Sequence, residues 1–170
     1  VPPDNQVSEL DNGRVIAAAE GSKLFRKEEI KEGQEVVTFG MWRLQGTVSL
    51  AAILHPEIDK NISPFAIERA TEFMKWLEQY PDVRDQGKAI LKFYAEQFAK
   101  RIEWGEPDFN YLHSALLTEF LHKKGFDGVL FPSGRVEGKG LNVAITPDFV
   151  DAHMRLEGAM ECVIAKKDKV

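Results

Sequence analysis

The chain has 170 residues, a one-domain length able to bury a core, with 44% hydrophobic and 29% charged residues as in an ordinary globular protein. Its net charge of -5 argues against a nucleic-acid-binding surface, which needs clustered Lys and Arg, although a few basic residues suffice for a small phosphorylated ligand. No apolar run approaches the ~20 residues of a membrane-spanning helix, no leader peptide is visible, and the lone Cys162 offers neither a disulfide nor a cysteine zinc site, so a reducing, cytoplasmic location is expected.

Residues 1–35 are polar and mixed, with turn-like VPPD at the start and DNG at 11–13. The apolar run Val15–Ala19 reads as a short strand. QEVVTFGMWRL, from Gln34 to Leu44, is rich in β-formers and places Val37, Phe39 and Met41 on one face, which predicts a strand. Ser63-Pro64 is helix-starting chemistry. Ile67, Ala70, Thr71, Met74 and Leu77 then recur at helical spacing until Pro81 stops the run. A second helix is predicted over Arg84–Ile102, burying Ile90, Phe93, Phe98 and Ile102. A third starts at Asp108–Asn110, turns Leu112, Leu116 and Phe120 inward, and closes at Lys123-Lys124-Gly125, with basic residues and a glycine as its stop. Gly128–Phe131 and Leu141–Ile145 read as buried strands, and Met160–Ala165 as a last β-prone run. Strands at both ends of a helical middle, without regular βαβ alternation, indicate an α+β fold in one domain over residues 1–170.

The segment GFDGVLFPSGRVEGKGLNVAITP, residues 125–147, carries the strongest functional signal. Its two strands flank a loop rich in Gly, where the backbone can approach a ligand closely. Ser133 at the end of a buried strand, followed by Arg135, reads as a candidate nucleotide-contacting edge. By itself the segment also reads as an ordinary hairpin with a long polar loop. The loop is no Walker A motif, since it lacks the terminal GK[ST] and a following helix. There is no GxSxG elbow for a serine hydrolase. His55, His113, His122 and His153 form no HxH or HExxH pattern, so no metal is expected. Glu29, in RKEEIKEGQEVVTF, reads alone as part of a surface charge cluster.

In order, VPPD, the GR at 13–14, a glutamate a few residues before the EVVTFG strand, WRL, a helical stretch bearing Tyr111 and Ser114, GFDGVLFPSG and LNVAI resemble the RES domain, named for its Arg, Glu and Ser. The resemblance runs through most of the chain and is densest in the C-terminal third. It implies a fold similar to ADP-ribosyltransferase toxins, with short β-sheets forming a cleft for NAD around a helical middle segment. By motif position Arg14 matches the arginine, Glu29 (with Glu28 its neighbouring alternative) the glutamate, Ser133 the serine, and Asn142 an asparagine in the later strand. The family has a tyrosine between its arginine and glutamate, and none lies between Arg14 and Glu29.

The implied activity is NAD consumption by cleavage of the nicotinamide–ribose bond, with NAD as substrate and no metal. Water or phosphate is the expected acceptor, and protein mono-ADP-ribosylation or a catalytically decayed binding module are the alternatives. Family members are often toxins neutralised by a DNA-binding antitoxin, which makes an antitoxin the implied partner; this chain itself is expected to bind neither DNA nor membrane.

Overall fold

The computed structural model describes residues 5–27, 29–102 and 107–167. The fold is mixed α+β and divides into two compact units: residues 1–47, 102–106 and 147–170 form the first, and 48–101 with 107–146 the second. Each is assembled from separate stretches of chain, which is why no linker is visible in the composition of a sequence that reads as a single domain.

The first unit opens with helix α1, Asn5–Gly21, followed by the single turn α2, Lys23–Arg26. The strand expected at Val15–Ala19 and the turn expected at 11–13 are both inside α1. Ala17, Ala18, Ala19 and Glu20 are strong helix formers, and they outweigh the β-branched pair Val15-Ile16 that suggested a strand; the VPPD segment lies outside the described residues. Strand β1, Gly33–Leu44, forms as the alternation predicts, with Glu35, Val37 and Phe39 on its less exposed side. Met41, expected on that face, is exposed, where the ladder slips by a bulge between Met41 and Trp42.

The partner of β1 comes from the far end of the chain. Counting strands of both units in chain order, this is β5, Met154–Lys166, antiparallel to β1 from Gly33 opposite Lys166 to Leu44 opposite Met154. It starts earlier than the expected Met160. A helix not foreseen, α6 (Pro147–His153), leads into it. Lys166 turns its ammonium to the carbonyls of Leu24 (3.3 Å) and Lys27 (3.4 Å), fastening the end of α2 to the ribbon.

The second unit holds a three-stranded sheet in the order β2 (Leu50–Ala52), β3 (Gly128–Pro132), β4 (Leu141–Ile145), with β2 parallel and β4 antiparallel to β3. The long β2–β3 connection contains α3 (Pro64–Leu77), α4 (Pro81–Ala99) and α5 (Leu112–Lys123). Leu54, Ala66 and Ala70 form a core cluster on which Ile58 and Leu141 pack. Asn61, 4% exposed, donates to the carbonyl of His55 at 2.8 Å and accepts from its N–H at 3.2 Å, stapling the loop after β2.

Pro81, expected as a stop, is the first residue of α4: the ring lacks only an N–H that a first turn does not use. Helix α4 buries Ala95 and half-buries Phe98 against Phe131, at 5.0 Å between ring centres, while Ile90 and Phe93 are exposed and the buried Ile102 lies beyond its end. Helix α5 is likewise rotated from expectation. Leu112, Leu116 and Phe120 are about half exposed, and the inward side is Ser114, Leu117, Thr118 and Leu121. Ser114 and Thr118 return their hydroxyls to the carbonyls of Tyr111 (2.9 Å) and Ser114 (2.8 Å), so both turn inward with their polarity satisfied by their own backbone. The stop of α5 forms as expected. Gly125, at φ 91, donates to His122 and Phe126 donates to Leu121 across the end of the helix.

Candidate functional site

Ser133 follows β3 directly and is 0% exposed. Its N–H donates to the Gly140 carbonyl at 2.9 Å, and its own carbonyl accepts from Gly138 at 2.8 Å. The second bond closes a tight loop whose reversal needs two successive left-handed residues, Glu137 (φ 54) and Gly138 (φ 76). Gly134 is the point where this loop meets α4. A β-carbon there would lie 2.4 Å from the Ala99 carbonyl oxygen, and Arg101 donates to the Gly134 carbonyl at 2.9 Å. The segment 134–140 is therefore a hydrogen-bonded turn seated on the end of α4.

Two more of the expected residues share this hairpin. Arg135 is half-buried in the turn, and Asn142 stands on β4 opposite Phe131. Upstream, Gly128 admits the β3–β4 approach, because an added β-carbon would stand 2.3 Å from the Ala144 carbonyl oxygen. Asp127, within the GFDGVLFPSG segment, and Ser49, just before β2, clasp each other at the head of the sheet: Asp127 N–H donates to the Ser49 carbonyl at 2.8 Å, and the Asp127 carboxylate accepts the Ser49 N–H at 2.7 Å.

Arg14 and Glu29 belong to the first unit. Glu29 is exposed in the turn after α2, and Glu28 lies outside the described residues. Arg14 is on α1 and lines a cavity of about 570 Å³. Gly13 and Ala17 of α1 form one side of that cavity, and Phe39, Met41, Gly158 and Met160 of the ribbon form the other. Phe39 pairs with Met160 and Met41 with Gly158 across the ladder, so the missing side chain at Gly158 leaves the space beside Met41 open. The chemistry on offer is an apolar slot with one guanidinium at its wall, suited to a flat ring carrying an anionic group.

One carboxylate held by two donors escaped the sequence reading. Glu35 on β1 accepts the hydroxyl proton of Ser22, which is 1% exposed, and the Leu24 N–H at 3.2 Å. Ser22 also caps α2, accepting from Leu24 at 3.1 Å. The Ser22 hydroxyl above all, and then the Leu24 amide, hold the Glu35 carboxyl below the usual carboxylate range. The signal was present in the sequence, since Glu35 is a charged residue on the same strand face as Val37 and Phe39.

Among the described residues no group of three or more His, Cys, Asp and Glu side chains could hold a metal ion, and no helix is long and apolar enough to cross a membrane. Comparison of the chain with family models, with curated proteins and with solved structures finds no match.

Proposed function

We propose that the chain is an NAD-consuming enzyme of the RES type, with an ADP-ribosyltransferase-like fold, that cleaves the nicotinamide–ribose bond and passes the ADP-ribosyl group to water or phosphate. The observation that carries this reading is Arg14, a motif arginine, in the wall of a ligand-sized cavity beside Phe39. The motif serine on the strand end, with its hairpin partner LNVAI, supports it from the sequence side.

The chemistry asks little of the protein. Nicotinamide leaves with the electron pair of the glycosidic bond, the ribose passes through an oxocarbenium-like state, and the acceptor oxygen adds to the anomeric carbon and gives up its proton. A carboxylate such as Glu29 stabilises that positive charge and holds a ribose hydroxyl. Arg14 offers a planar fork of donors to the diphosphate. Ser133, Arg135 and Asn142 of the second unit also belong to this reading, Ser133, fully enclosed, shaping the strand end without itself touching a ligand. A cytoplasmic location and a neutralising antitoxin partner go with this reading.

The test is incubation with NAD, with and without phosphate, and separation of free ADP-ribose, its phosphorylated form and labelled protein. Glu29→Gln is expected to reduce turnover about a hundredfold with the fold kept; an unchanged rate removes Glu29 from the reaction, and label on protein turns the assignment to a transferase. A second reading, a binding module without turnover, is favoured by the 0% exposure of Ser133 and by the absence of tyrosine between Arg14 and Glu29. NAD left intact at high protein concentration decides for it.

A further inference from the structure

Helix α5 turns its most apolar face outward. Phe109, in the helical turn Asp108–Tyr111 before it, and Leu112, Leu116 and Phe120 recur at helical spacing, and α5 holds no fully buried residue. Its inward side carries Ser114 and Thr118 instead. Helix α4 adds Phe93, whose ring meets that of His113 edge-on at 5.3 Å between centres, and Ile90 one turn away. All six apolar residues belong to the second unit and are between 41% and 69% exposed.

A side chain of this size carries about 200 Å² of surface, so the six together present about 600 Å², the upper end of what a monomer leaves uncovered. Two such faces apposed bury about 1,200 Å², the size at which specific, stable interfaces begin. The charges beside the stripe are already occupied: Lys123 pairs with Glu119 at 2.6 Å, and the Lys124 ammonium lies 5.5 Å over the Phe120 ring. The face therefore suits a partner whose contact core is apolar and uncharged. Its spacing is symmetric as well. Leu112 and Phe120 stand four residues on either side of Leu116. In an antiparallel pair of α5 helices related by a two-fold axis at Leu116, each Leu112 meets the Phe120 of the other copy, a smaller side chain against a larger one. A second copy of the chain satisfies area, neutrality and register together.

We infer that the chain forms a two-fold symmetric dimer through this face, with Leu116 on the axis, Leu112 against Phe120 across it, and Phe93 and Phe109 extending the contact. The dimer stands whatever the chain does to NAD.

Sedimentation equilibrium of the full chain measures it, and a monomer–dimer equilibrium is expected in the micromolar range that an interface of this size allows. Leu116→Lys brings two like charges together on the axis and should weaken the dimer about a hundredfold or more, with the circular dichroism spectrum unchanged because the side chain points outward. Leu112→Glu and Phe120→Lys should each weaken it, and the two in one chain should recover much of the loss, since opposite charges then face each other across the axis. Leu116→Cys, in a chain with Cys162→Ser, keeps the face apolar and should cross-link the dimer under mild oxidation; if Leu116→Lys fails to fold, the cross-link decides. A chain that stays monomeric to about 200 μM overturns the inference and leaves the face to a different partner. A dimer unmoved by Leu116→Lys, or not cross-linked through Leu116→Cys, is held elsewhere and overturns it too. Failure of the paired charges to recover association refutes the two-fold register.

Discussion

Replacing Gly128 by alanine should cost far more than a single methyl group suggests. The new carbon would stand 2.3 Å from the Ala144 carbonyl oxygen and 3.0 Å from the Ile145 α-carbon. Both are backbone atoms of the paired strand, so no rotamer change relieves the clash. A carbon–oxygen contact relaxes at about 3.3 Å, which obliges β4 to retreat by about 1 Å. A retreat of that size stretches ladder bonds of about 2.9 Å beyond hydrogen-bonding range. Overpacking of this kind costs about 1–3 kcal/mol, and one weakened ladder bond adds about 1 kcal/mol. The expected loss is about 3 kcal/mol, or roughly 150-fold in the folding equilibrium. Urea unfolding followed by circular dichroism measures it, with Gly158→Ala as the control, because nothing lies within 4 Å of a β-carbon built there. If Gly128→Ala unfolds within about 0.5 kcal/mol of the unaltered chain, the strands are not apposed as described and the reasoning fails.

Gly13→Ala should stabilise the chain by about 1 kcal/mol, since Gly13 is interior to α1 with open space around its α-carbon; an unchanged melting temperature would argue against the helix there. Asn61→Ala should destabilise by about 2 kcal/mol, because the N–H and carbonyl of His55 both lose their partner, and urea unfolding reads the loss directly. Glu35 has a folded-state pKa below its unfolded value, so its contribution to stability is present above the ordinary carboxylate value and disappears as pH falls through the depressed one. Melting temperatures recorded down through the carboxylate range should therefore fall more steeply for the unaltered chain than for Glu35→Gln, and equal slopes would refute the Ser22–Glu35 bond.

What the sequence disclosed followed from local chemistry strong enough to act alone. The alternation of β1, Pro64 at the start of α3 and Gly125 at the end of α5 each declare themselves in a few residues, and the hairpin around Ser133 is framed by its own glycines. What stayed hidden depended on distant partners or on satisfied polarity. β2 is a strand through its pairing with the distant β3, and alanine carries little β signal. The inward face of α5 includes Ser114 and Thr118, which look polar until their hydroxyls are seen bonded to the helix itself. Helix α6 was legible in principle, for Thr146-Pro147-Asp148 repeats the chemistry of Ser63-Pro64. For the candidate site, the sequence located Ser133 on a strand end but could not disclose that its side chain is fully enclosed. It passed over Glu35 because a carboxylate within a strand reads as a surface residue until Ser22 is brought to it.

The pairing of Gly33 with Lys166 has a consequence for synthesis. β1 is made first, yet every residue that completes its ladder belongs to β5, translated about 110 residues later. At roughly 5–20 residues per second the strand waits on the order of ten seconds for β5. During that interval Val36, Phe39, Met41 and Trp42 have no strand to pair with, and the second unit, encoded largely between them, can form first. The first unit is thus closed by β5, and removal of Met154–Lys166 should leave β1 as an aggregation-prone edge, not a smaller folded protein.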